Sequence, residues 1–321
     1  MSSETMSLGE SMRERNNERS LVERYRERPI ELLEEFSGIT VEELEARFPG
    51  EFPIIACDFG VRGVENGTEC SGGYRSGRVL SVDHHASTSR MAHRISSTTL
   101  AIEQARTEGF PGTGRVVIHH TDCDSLLSSL IVSGFLPPEE RFNAAAIAAD
   151  HTGEPDEIAD LLQPLQRRRD IEFSLRNLDL LLRGEALEED ARELMLGRLA
   201  QRETVAKLVR EGAFRSTGGV YFASFSERHD AAFFPALLPE AAVILVGSPM
   251  SDDSGKTVLK IRLGLAAPDG FRVNTLGLPD FGGRWNAGNT KRHGGTAIPI
   301  EEYAELVREK LEAFVSQSDE E

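Results

Sequence analysis

Three short apolar runs, each stopping at an acidic or imidazole side chain, constrain this chain more than any other feature. Pro53 to Cys57 ends in Asp58, Arg78 to Val82 ends in Asp83, and Arg115 to Ile118 ends in His119. A fourth run, Ala144 to Ala149, ends in Asp150, but its alanine content leaves strand or helix open. Helical patterns lie between them, at Ser96–Glu108 and Ser125–Ser133. Short buried strands alternating with helices predict an open parallel α/β sheet. Such sheets place their ligands at the carboxyl ends of the strands, where these polar residues fall.

The rest of the chain divides around that pattern. Residues 1–50 read as a helical, peripheral N-terminal extension, a solvated arm or a dimer-forming element. Within it Thr40 and Glu43 form a plausible capping box. Residues 51–180 hold the first α/β domain. Residues 154–213 are almost continuously helical in pattern, with a break at Arg183-Gly184, so 181–215 is expected to be a helical linker. Strand signals return at Val220–Ser224, Ala242–Val246 and Thr257–Leu263, a Gly-rich loop follows at Phe281–Thr296, and an amphipathic helix spans Ile300–Val315. Residues 216–321 are therefore expected to form a second, smaller α/β domain.

Composition narrows the partners. The chain has 36 basic against 53 acidic residues, a net charge of −17, which opposes the long polyanion that a nucleic-acid-binding stripe would grip. A short anionic ligand in a locally basic pocket remains compatible with it. No apolar run reaches the roughly 18–20 residues of a membrane span. The polar start, Met1 to Arg28, lacks the apolar stretch of a secretory signal. Cys57, Cys70 and Cys123 are too few and too scattered for a disulfide framework. A cytoplasmic location is the expectation.

The residues at the run ends are Asp58; Asp83, His84 and His85; His119, His120, Asp122 and Asp124; and Asp150 with His151. One aspartate after a strand is ordinarily a helix N-cap. Two clusters mixing carboxylate and imidazole at successive run ends suit a divalent transition metal. Two ions roughly 3.5–4 Å apart clamp a phosphoryl group and activate water.

Here the chain resembles the DHH (Asp-His-His) phosphoesterase superfamily. Val82–His85 reads VDHH, and His120–Asp124 reads HTDCD, similar to that family's H/D-x-D-x-D motif. Asp58 resembles its single-Asp motif and Asp150 its fourth aspartate. Lys260–Gly264 (KIRLG) and Phe281–Gly288 (FGGRWNAG) resemble the C-terminal DHH-associated domain. The likeness spans roughly residues 52–300. Two departures stand out: the H/D-x-D-x-D motif follows Asp-His-His, so the motif order is circularly permuted, and Arg284 stands where the Gly-rich motif usually has histidine.

The resemblance implies an open parallel-sheet DHH domain joined by helices to a smaller α/β DHH-associated domain. It implies that Asp58 bridges two metals, that Asp122 with His120 or His119 binds one, and that Asp124, His84 and Asp150 bind the other. His85 would face the substrate phosphate, and Asp83 would orient an imidazole. Mn²⁺ is the expected ion, two per site, with Mg²⁺ or Co²⁺ as substitutes. Glycines let backbone N–H groups approach an anion closely, so Gly282, Gly283, Arg284, Asn286, Lys291 and Arg292, with Arg262 nearby by the resemblance, are expected to hold substrate. Trp285 either stacks on a base or anchors the domains. The implied activity is phosphodiester or exonucleolytic cleavage of short oligonucleotides or similar phosphodiesters. The alternatives are a pyrophosphatase or exopolyphosphatase, and a non-catalytic nucleotide-binding sensor. A short phosphate-containing substrate is expected, with no long nucleic acid, no membrane and a homodimer as one arrangement.

Overall fold

The computed structural model describes residues 19–34, 38–85, 95–110, 113–251 and 254–318. They form two compact units. The first holds the described residues up to His84, together with Ser96–Ala146 and Glu157–Met195. The second holds those of His85–Ile95, Ile147–Asp156 and Leu196–Glu321.

In the first unit the strands are β1 (Glu31–Leu32), β2 (Ile39–Thr40), β3 (Ile54–Cys57), β4 (Val61–Arg62), β5 (Thr68–Cys70), β6 (Gly73–Ser76), β7 (Val79–Val82) and β8 (Arg115–Ile118). Six of them make a sheet in the order β1-β8-β3-β7-β6-β5, while β2 and β4 pair separately. β3 runs parallel to β7 and β8, β1 runs parallel to β8, and β6 alone runs against its neighbours β7 and β5. β3 and β7 are buried along their whole length. That is why they read as continuous apolar runs rather than as an alternation. The register aligns Cys57 with both Val82 and Ile118, so the three runs end level at one carboxyl edge.

The helices of this unit start with α1 (Leu21–Glu27) and α2 (Val41–Arg47), then α3 (Ser97–Thr107), α4 (Cys123–Val132) and α5 (Glu140–Ile147), followed by α6 (Glu157–Leu165) and α7 (Ile171–Leu182). Over the described part of 1–50, then, two short helices flank two short strands. The expected capping box of Thr40 and Glu43 is present. Ile39, Val41 and Leu44 join Ile54, Ala56 and Val117 in one buried cluster, so this stretch packs into the sheet's core. The fourth apolar run is helical: α5 passes into a π-helical turn, Ala148–Thr152, that carries Asp150. Helix α8 (Glu189–Arg210) begins after the break at Gly184, whose φ of +69° suits glycine.

The second unit has strands β9 (Arg215–Thr217), β10 (Val220–Ser224), β11 (Val243–Pro249), β12 (Thr257–Leu263), β13 (Gly282–Gly283) and β14 (Ala287–Asn289). Their order is β13-β14-β12-β11-β10-β9, with only β10 and β11 parallel. The short helix α9 (Phe234–Leu237) precedes β11, and α10 (Ile300–Ser318) ends the described chain. Tyr303, Ala304, Val307 and Leu311 of α10 pack on Val220, Phe222, Val243 and Leu245 to form the core. Among the described residues no helix is long and apolar enough to cross a membrane.

Candidate metal centre and anion site

The level strand ends of the first unit deliver Asp58 and Asp83-His84 to one edge, after β3 and β7. His84 is fully buried, Asp124 is fully buried, and Asp58 is almost so. The His84 Nε2 atom lies 3.5 Å from Asp58 Oδ1 and 3.9 Å from Asp124 Oδ2. Asp58 adopts φ of +61°, the left-handed region. For a non-glycine residue this costs on the order of 1–2 kcal/mol, and such strain gathers at functional sites. Its N–H still bonds to the Val82 carbonyl at 3.0 Å, so the strand pairing persists while the chain turns the carboxylate into the cluster.

Hydroxyls and amides from two helix starts fix these carboxylates. Ser97 Oγ donates to Asp58 Oδ1 at 2.9 Å, and Ser125 Oγ to Asp58 Oδ2 at 2.6 Å. Ser97 N–H donates to Asp124 Oδ2 at 2.8 Å, and Thr98 N–H to Asp124 Oδ1 at 2.7 Å. Asp124 thus sits in the first turn of α4 and at the same time satisfies two of the free amides that open α3. Ser97 links the set, since its Oγ also accepts from His84 N–H at 3.3 Å. Each carboxylate oxygen carries two lone pairs, so these bonds leave acceptor capacity for a cation.

Two carboxylates in a space closed to water are expensive unless a positive charge balances them. A buried imidazole beside hard oxygen donors matches a borderline divalent transition ion better than an all-oxygen site would. The donor set therefore fits a metal, with Asp58 and His84 each offering a ligand atom within 4.8 Å of the other. Burial and the neighbouring Asp58 and Asp124 carboxylates push the Cys57 thiol well above its ordinary range. Cys57 is thus an inert wall of the site rather than a ligand thiolate.

The other expected ligands sit differently. Asp122 is the N-cap of α4, its Oδ1 accepting from Ser125 N–H at 3.0 Å. His119 and His120 face each other, Nδ1 to Nε2 at 3.1 Å, with His120 exposed. Asp83 is buried next to His84.

In the second unit, Asp150 on its π-helical turn is held by two arginines. Arg284 donates to Asp150 Oδ2 at 2.9 Å, and Arg262 donates to the Asp150 carbonyl at 2.6 Å. Arg284 also contacts the His85 Nε2 atom. Lys260 and Arg262 alternate on β12 and so share a face. Across from them stands the β13–β14 hairpin, with Arg262 opposite Ala287 and Lys260 opposite Asn289. The hairpin needs its glycines: a Cβ on Gly283 would sit 2.4 Å from the Gly288 Cα. A cavity of about 520 Å³ results, walled by Lys260, Arg262, Gly282, Gly283, Arg284 and Arg292. Burial pulls the Lys260 ammonium below the ordinary lysine range, and its Nζ donates to the His229 carbonyl at 2.8 Å. Lys291 is exposed on a 3₁₀ turn and does not line this cavity, while Asn286 lines a neighbouring one. Trp285 is buried against His151, ring centroids 5.7 Å apart.

Sequence reasoning missed Ser97, Ser125 and Lys260. The Ser96-Ser97-Thr98-Thr99 run at a helix start was the available signal for Ser97, and the alternation of Lys260 with Arg262 was the signal for the lysine.

No family model matches the chain, and no curated protein matches it. Among solved structures it is similar to a pGpG-specific phosphodiesterase, PggH from Vibrio cholerae, with a TM-score of 0.38 and 12% identity over 64% of this chain and 81% of that one. It is also similar to an exopolyphosphatase-related protein from Bacteroides fragilis, with a TM-score of 0.32 and 12% identity over 85% of this chain and 75% of that one. Both units are α/β, the first with a mostly parallel sheet and a buried Asp/His cluster, the second with a mixed sheet.

Proposed function

We propose that this chain is a metal-dependent phosphohydrolase that cleaves short oligonucleotides or similar nucleotide phosphodiesters. The observation that carries the reading is the buried set of Asp58, His84 and Asp124 at the carboxyl edge of a parallel sheet. Asp58 and His84 hold an ion, Asp124 fixes the two helix starts around it, and Asp122 with His119 or His120 serves a second ion. When bound, the ions polarise the phosphoryl group and activate water. Ser97 and Ser125 orient the Asp58 carboxylate, as hydrogen-bonded outer residues do for metal ligands generally. Lys260, Arg262, Arg284 and Arg292 supply positive charge for a phosphate. A few cations on a chain of net charge −17 neutralise only a few phosphates, which favours short substrates.

The same basic cavity supports a second reading, hydrolysis of pyrophosphate or polyphosphate. A panel with Mn²⁺ separates the two: a bis-aryl phosphate ester, dinucleotides, a 30-mer, pyrophosphate and polyphosphate. The first reading expects mononucleotide release, with kcat/KM for a dinucleotide well above that for the 30-mer. Orthophosphate release from polyphosphate alone would favour the second reading. Inertness toward the whole panel with Mn²⁺, Co²⁺ and Mg²⁺ would overturn both.

A further inference from the structure

Helix α8, Glu189–Arg210, spans about 33 Å at roughly 1.5 Å per residue. Its inward side carries Ala191, Arg198 and Val205, all buried, with the Arg198 guanidinium 4.6 Å from the centre of the Phe233 ring. At about 100° per residue, the line opposite them passes through Leu196. Glu189, Arg192, Leu196, Leu199, Glu203 and Lys207 follow that outward line at spacings of three or four residues, and all six are exposed. The outward face of a surface helix is ordinarily polar. Here Leu196 is 51% and Leu199 37% exposed, two of the four large apolar side chains exposed among the described residues.

The order of residues on this line identifies what covers the leucines. Read forward it is acid, base, leucine, leucine, acid, base. Read backward it is base, acid, leucine, leucine, base, acid. Laid antiparallel on a second copy of itself, every charge meets its opposite and leucine meets leucine. Glu189 faces Lys207 of the second copy, and Arg192 faces its Glu203. Laid parallel, like charges would meet at all four charged positions. An antiparallel match of one surface with itself is what a two-fold dimer requires, because each contact then occurs twice. The line is also neutral, with two acids and two bases on a chain of net charge −17. Two copies can therefore approach along it without the repulsion that an acidic surface imposes elsewhere.

Arg192 and Glu203 already have neighbours on the helix. Arg192 pairs with Glu189 at 2.6 Å, and Glu203 with Arg210 at 2.6 Å. Such exposed pairs contribute little, so exchanging them for partners across an interface costs little.

We propose that this chain forms a two-fold homodimer through antiparallel packing of α8, with Leu196 and Leu199 at the centre and the two charge pairs on either side. An apolar centre with a charged rim is the usual anatomy of such a contact. One helix from each copy makes a small interface, roughly 1,200 Å² or less, which belongs to the weak and reversible class.

Sedimentation equilibrium of the full chain across the micromolar range tests this. Wild type should show a reversible monomer–dimer equilibrium with a Kd on the order of micromolar. Leu196→Glu should weaken it by about tenfold or more, because the change acts twice in a two-fold contact. Arg192→Glu alone and Glu203→Arg alone should each weaken it by about tenfold, since each sets like charges face to face. The double variant Arg192→Glu/Glu203→Arg restores both pairs with reversed sign and should return to within about threefold of wild type. All these side chains are exposed, so the fold is retained, and circular dichroism verifies it. A chain that stays monomeric throughout, or a dimer indifferent to Leu196→Glu, would overturn the proposal. So would a double variant no better than the single ones, because that recovery is specific to the antiparallel match.

Discussion

Replacing Asp124 with asparagine tests whether this residue supports the fold apart from any ion. Its two carboxylate oxygens accept from the Ser97 and Thr98 amides at 2.8 and 2.7 Å, in a site with no solvent exposure. A hydrogen bond to a charged group contributes about 1.5–3 kcal/mol. Asparagine keeps one oxygen and turns an N–H₂ toward the second amide, so one bond is lost and two buried donors face each other. The carboxylate's favourable interaction with the positive start of α3 is lost as well. The expected loss is about 2–3 kcal/mol, a large share of the roughly 5–15 kcal/mol that holds a domain together. Urea unfolding followed by far-ultraviolet circular dichroism, in excess chelator, measures it without contribution from an ion. Asp124→Asn within about 0.5 kcal/mol of wild type, the range of an ordinary surface change, would refute the capping role. Repeating the unfolding with Mn²⁺ shows whether wild type gains stability from the ion that the variant does not.

Asp58→Ala should be the most damaging single change to activity, leaving less than about a tenth of the wild-type rate, which is about 1.4 kcal/mol of barrier. Chelation should abolish turnover and Mn²⁺ or Co²⁺ should restore it; full turnover after exhaustive metal removal would exclude a metal mechanism. Arg284→Ala should raise KM for a dinucleotide more than it lowers kcat if Arg284 acts on the bound phosphate, and steady-state kinetics that show only a kcat loss would place it elsewhere. A maleimide should label one cysteine of the native chain, Cys70, because Cys57 and Cys123 are buried, and all three after unfolding in urea; mass spectrometry counts the adducts.

Much of the first unit could be read from the sequence because burial is encoded locally. A strand covered on both faces must be apolar throughout, so PIIAC, RVLSV and RVVI announced parallel strands. The residue that ends such a run falls at the carboxyl edge, whichever neighbours the strand acquires. That placed Asp58, Asp83 and His84 on one edge, and the aligned register of Cys57, Val82 and Ile118 bears it out. Local pattern was weaker at 144–149, since alanine fits helix and strand alike, and packing there settled on helix and a π turn. The left-handed backbone of Asp58 has no sequence signature, because aspartate occupies that region only when its surroundings hold it there. Nor does sequence reveal that Asp124 satisfies amides at positions 97 and 98, that Ser125 reaches Asp58, or that Lys260 and Arg284 share a cavity. These polar side chains take their direction from partners far away in the chain, and only the packed tertiary structure brings those partners within hydrogen-bond reach.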